Sequence, residues 1–145
     1  MGKLRDLSRE LGAEIIYFNA IENGVELESD TKGVYLPDDN VIYIRDDLTI
    51  YEQENVILHE LGHCFYGHVH YDCHSKGYSS KQEAEANSYM VAYRFKEWLL
   101  TWDFAPLPEE LNVQRFMNAY HFEYKVEYLC ENIIDEYNAE YYETV

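Results

Sequence analysis

Cysteine is scarce in this chain, and basic residues are few. The three cysteines, Cys64, Cys73 and Cys130, form no CxxC pair. An odd, sparse set excludes a disulfide framework and suits a reducing compartment. Lysine and arginine total 11 against 28 acidic residues, a net charge of −17. Such a surface is repelled by phosphate backbones and anionic headgroups, which argues against direct nucleic-acid or membrane binding. It attracts a basic protein partner. Long apolar runs are missing too. The opening MGKLRDLSRELG is charged throughout and carries no signal peptide or membrane span. The expectation is a cytoplasmic protein with a single domain over 1–145, since there is no repeat or low-complexity linker and 47% hydrophobic content suffices for one core.

Periodicity divides the chain. A short helix is expected at 3–11, ended by Gly12, then strands at 13–18 and 25–28. Residues 33–36 and 41–45 flank Pro37-Asp38-Asp39-Asn40 and read as a β-hairpin. Thr49 with Glu52 matches a capping box, opening a helix at about 50–67 whose apolar stripe includes positions 50, 57, 58, 61 and 65. A loop over 68–79 leads to a helix at about 80–101 carrying Met90, Val91, Phe95, Trp98 and Leu99. Pro106 and Pro108 break the chain before helices at about 108–119 and 124–138. The fold class is α+β: a small antiparallel or mixed sheet of about three strands packed on a helical core.

The helix at 50–67 contains HELGHCFYGH, His59 to His68. His59 and His63 lie one turn apart, offset by roughly 40° around the axis, so both imidazoles can grip one metal ion. Glu60 points elsewhere and can take a proton from a metal-activated water. Leu61 and Phe65 are read as core contacts, and Gly62 as a site of close packing. A third ligand is needed. The spacing HExxHxxGxxH fails: glycine stands fourth after His63 and His68 fifth. The other source is KQEAEAN, where Glu83 and Asn87 form an i, i+4 pair on one face. Glu83 can bind the metal, and Asn87 can accept a hydrogen bond from the outer nitrogen of a ligand histidine. Glu85 is turned roughly 200° away, toward solvent. If Ser80 caps this helix, Glu83 is its capping-box partner; if Ser79 does, Gln82 takes that role and Glu83 is free. Transition-state stabilisers are sought among Tyr66, His68, His70, His74 and Tyr78.

HELGHCFYGH followed by EAEAN, with the upstream hairpin GVYLPDDNVIYI and the closing FMNAYHFEYKVEYLCENII, resembles the ImmA/IrrE family of metallo-endopeptidases over roughly residues 30–135. The resemblance implies one zinc ion on His59, His63 and Glu83, with Glu60 catalytic, in a gluzincin-like fold with an HExxH helix, a second ligand helix and C-terminal helices. It also implies a protein substrate: a helix-turn-helix repressor of a phage or mobile element, whose basic charge this acidic chain would attract. An edge strand from the Val41–Arg45 hairpin is expected to bind an extended peptide by β-addition. Sequestration of the repressor without cleavage is the alternative. A two-histidine, one-carboxylate set accepts several metals. The chain departs from the family in SYMVAYRFKEWLL, which is bulkier and more aromatic and implies a remodelled core around the second helix.

Overall fold

A computed structural model describes residues 2–18, 32–69 and 78–143. The strand expected at 25–28, and His70 and His74, lie outside these residues. The elements are α1 (Gly2–Leu11), β1 (Glu14–Phe18), β2 (Gly33–Leu36), β3 (Val41–Arg45), α2 (Ile50–Phe65), α3 (Ser80–Leu99), α4 (Val113–Tyr120) and α5 (Glu127–Asn138). The fold is α+β. Two compact units are present, Met1–Ala86 and Asn87–Val145.

In the first unit the strand order is β1-β3-β2. β1 runs parallel to β3, with Ile15 opposite Ile42, and β2 is antiparallel to it, with Tyr35 opposite Ile42. β3 is therefore the central strand, and Val41, Ile42 and Ile44 are buried. Among the described residues the edge strand of the hairpin is β2 and not Val41–Arg45, because β1 occupies the far side of β3. α2 lies against β2, β3 and α1. Gly33 permits the approach: a Cβ there would meet the Val56 side chain at 2.6 Å and the Tyr43 carbonyl at 3.0 Å.

Asn40 closes the hairpin turn at φ 53°. Its Nδ2 donates to the carbonyl of Gly12, which ends α1 at φ +75°. Its Oδ1 accepts from the Tyr35 hydroxyl and from Cys64 Sγ, the latter at 3.4 Å. The α2 stripe is narrower than its periodicity suggests. Ile57, Leu58 and Leu61 are fully buried, whereas Ile50 and Phe65 are exposed. These two sit in the first and last turns, so the sheet covers only the middle of the helix.

In the second unit, the aromatic residues of α3 meet α4. The Trp98 and Phe116 rings stack at 5.0 Å, and Phe95 meets Phe116 edge-on at 5.6 Å. Arg94 is buried, pairs with Glu97 at 3.1 Å and lies over the Tyr120 ring. The helix expected at 108–119 is a 3-10 turn, Pro108–Glu110, followed by α4 capped by Asn112, whose Oδ1 accepts the Arg115 N–H. On α5, Cys130 and Ile134 are buried. Replacing the fully buried Phe116 by Ala should cost about 3–5 kcal/mol, while Phe104→Ala, at a residue 85% exposed, should stay within about 0.5 kcal/mol. Equal denaturation midpoints for the two variants would refute this packing.

Candidate metal centre

Two N-caps set the register of the site. Thr49 Oγ1 accepts the Glu52 N–H at 3.3 Å and starts α2. At α3, Ser79 Oγ accepts the Gln82 N–H at 3.1 Å, and Gln82 Oε1 accepts the Ser79 N–H at 2.8 Å. This reciprocal capping box resolves the choice left by the sequence: Gln82 serves the cap and Glu83 turns toward α2. Glu83 Oε2 lies 3.1 Å from His59 Nε2, and its Oε1 lies 3.0 Å from His63 Nε2. The two imidazoles stand edge to face, centroids 4.9 Å apart. Donor atoms of His59, Glu60 and His63 all fall within 4.8 Å of one another.

This donor set fits a divalent metal. A tetrahedral centre with bonds of roughly 2.0–2.1 Å spaces its donors about 3.3 Å apart, close to the separations from Glu83 to each histidine. His63 Nε2 and Glu60 Oε2 are buried and find no hydrogen-bond partner among the described residues. The 3.0 Å approach of Glu83 to His63 is short but not aligned as a hydrogen bond. Protonation suits a metal as well. Burial pulls the His63 imidazole below its ordinary range and keeps it neutral. Burial alone would raise Glu83, but the two imidazoles facing it outweigh that and hold the carboxyl well below the usual range. Neutral imidazoles and a carboxylate are the forms a metal takes.

Glu60 differs. Burial pushes its carboxyl up to about 7, with His59 pulling it down and Glu83 adding repulsion. It accepts a hydrogen bond from the Tyr35 backbone. The Tyr35 carbonyl in turn accepts from the Tyr78 hydroxyl at 2.8 Å. The backbone of β2 thus orients two site residues, a role that side-chain motifs do not announce.

The remaining candidates sit as follows. Tyr78 stacks its ring on His63, with centroids 3.7 Å apart and planes 12° apart, while its hydroxyl goes to Tyr35. Tyr66 is exposed and stacks on His68 at 5.5 Å. His68 is buried; its Nδ1 lies 2.9 Å from His63 Nδ1, and its Nε2 lies 3.2 Å from Glu85 Oε1. The outer nitrogen of His63 therefore goes to His68. Glu85 is engaged by His68 and does not simply face solvent. The cause is local. Gly67 adopts φ +66°, its N–H bonds to the Cys64 carbonyl, and the His68 N–H bonds to the His63 carbonyl. This is a Schellman motif, which folds the residue after the glycine back over the last helical turn. Glycine before His68 is the sequence signal for this contact.

Comparison with known families places residues 9–97, more than half of the chain, in a match to Peptidase_M78, described as the IrrE N-terminal-like domain. Comparison with curated proteins gives no match. Among the described residues, no helix is long and apolar enough to cross a membrane.

The raised Glu60 carboxyl has a measurable consequence in the metal-free protein. Its folded pKa lies above the unfolded value, so its contribution is complete below about 4.5 and is lost as pH rises through about 7. Glu60→Gln should remove this loss. With chelator present, the variant should gain stability over the parent between pH 4.5 and 8, on the order of 3 kcal/mol at most. Parallel melting-temperature profiles for variant and parent would contradict the burial of this group.

Proposed function

The chain belongs to the Peptidase_M78 family, and we propose that it is a zinc-dependent endopeptidase acting in the cytoplasm on a protein substrate. The observation that carries this reading is the Glu83 carboxylate held 3.0–3.1 Å from the Nε2 atoms of His59 and His63, beside Glu60 Oε2, which has no partner among the described residues. In this reading His59, His63 and Glu83 hold one zinc ion, and Glu60 is the base. Glu83 suits the third ligand position better than Glu60: it is the anionic carboxylate, and it reaches both imidazoles. Bound zinc supplies Lewis-acid polarisation of the scissile carbonyl.

The chain's own residues supply the proton chemistry. A water attacks the carbonyl carbon and gives its proton to Glu60 Oε2. Glu60 then delivers that proton to the departing amine nitrogen as the C–N bond breaks. A carboxylate placed beside the ligands can take up this proton and release it again. Its hydrogen bond from the Tyr35 backbone leaves Oε2 for this exchange.

The substrate in this reading is a helix-turn-helix repressor of a phage or mobile element. The net charge of −17 supports a basic partner. The test pairs the purified chain with a candidate helix-turn-helix repressor. The parent should bind one zinc per chain and cut the repressor. Glu60→Gln should still bind zinc while cleavage falls roughly 10²–10⁴-fold, and Glu83→Gln should weaken zinc binding. Undiminished cutting by Glu60→Gln removes Glu60 as the base. Tight binding with no products, unchanged in that variant, would replace cleavage with sequestration.

A further inference from the structure

We propose that the segment from Leu100 to Leu107 is a docking surface for a basic, amphipathic helix of the protein substrate. The inference deepens the reading above and rests on the substrate being a protein. Its basis is an ordered loop in the second unit that carries exposed apolar side chains among acidic ones. Leu100, Phe104 and Leu107 are 80%, 85% and 51% exposed. The first two are the most exposed large apolar side chains among the described residues.

The loop is held in a shape that keeps these side chains outward. The Trp102 N–H donates to the Leu99 carbonyl at 3.3 Å, and its indole Nε1 donates to Glu110 Oε2 at 3.0 Å. Its ring meets Trp98 edge-on at 4.7 Å. Thr101 Oγ1 donates to the Trp98 carbonyl at 2.6 Å. The far end is closed by the Glu110 N–H, which donates to the Leu107 carbonyl at 2.9 Å, and by the burial of Leu111. Apolar side chains on a frame already fixed cost little ordering entropy when a partner covers them.

Charge selects the occupant. From Glu97 to Gln114 the chain carries Glu97, Asp103, Glu109 and Glu110, with no lysine or arginine. A second copy would set the same acidic residues against themselves, within a net charge of −17 on each chain. An anionic lipid surface is repelled in the same way. A helix with apolar residues on one face and lysine or arginine beside them satisfies both features. Its apolar face covers Leu100, Phe104 and Leu107, and its cations meet Asp103 and Glu109. The segment also lies beyond residues 9–97, the part matched to the peptidase family. The surface is therefore separate in sequence from the shared domain that carries the candidate metal ligands.

The test uses the full chain carrying Glu60→Gln, so that the probes stay intact. The probes are a synthetic helical peptide with leucines on one face and lysines on the other, and its counterpart with glutamate for lysine. The lysine peptide should bind and the glutamate peptide should not. Adding Leu100→Ser with Phe104→Ser should raise the Kd by roughly 10–100-fold at an unchanged melting temperature. Ile50→Ser, at an exposed apolar residue of α2, should leave it unaltered. Asp103→Lys with Glu109→Lys should weaken binding and flatten its salt dependence. With Glu60 intact, the Leu100 and Phe104 pair of substitutions should raise KM for the candidate repressor and leave kcat unchanged. An equal Kd with and without that pair overturns the proposal, leaving only diffuse attraction, as does an unchanged KM. A parent dimer dispersed by the pair would assign the surface to a second copy, and pair-dependent binding to phosphatidylglycerol vesicles would assign it to lipid; either result overturns the proposal. Failure of the parent to cut any repressor defeats the function proposed above, while the peptide Kd still decides this surface.

Discussion

A carboxylate set between two imidazole nitrogens is the contact on which the first unit depends. Each of the three groups is costly to bury alone. Together they allow the middle of α2 to turn a polar face inward beside Ile57, Leu58 and Leu61. The start of α3 must then lie within reach of α2, and the Ser79–Gln82 box fixes which residue of α3 arrives there. What the arrangement leaves unsatisfied, Glu60 Oε2 and His63 Nε2, lies at the point where the chemistry belongs. Orphaned buried polar atoms are a stability cost, and here these two are confined to one place.

The surrounding shell repeats the logic with weaker groups. Tyr35 gives its backbone to Glu60 and Tyr78 rather than to a further strand. Tyr78 and Tyr66 lay aromatic faces on His63 and His68. Tyrosine suits both duties, offering a broad apolar ring and a hydroxyl that finds a partner. The abundance of this residue in the sequence is partly accounted for here.

Much of this arrangement is legible in the order of the amino acids alone. The helical period places His59 and His63 on one face, the capping rules tie Glu83 to α2 once Ser79 is the cap, and turn residues mark the hairpin. Other features have no local signature. The parallel pairing of β1 with β3 joins segments distant in sequence, so nothing in Glu14–Phe18 announces that β3 is central. Backbone donors such as that of Tyr35 carry no residue code. Phe65 reads as core by period, yet the sheet does not extend to the last turn. Counting His68 by its distance from His63 presumes that the helix continues. Gly67 ends that helix, so the count does not describe where the side chain goes.

Asn40 shows how far such dependence spreads. Its residue type is set by three demands at once: a left-handed backbone, an acceptor for Tyr35 and Cys64, and a donor for the end of α1. Aspartate meets the first two and lacks the donor; glycine meets the first alone. A hairpin turn is ordinarily where a fold tolerates drift and insertion. In this one, a single amide ties α1, the edge strand and the far end of the histidine helix together, so the loop behaves as a hub rather than a hinge, and variation must be accommodated elsewhere on the surface.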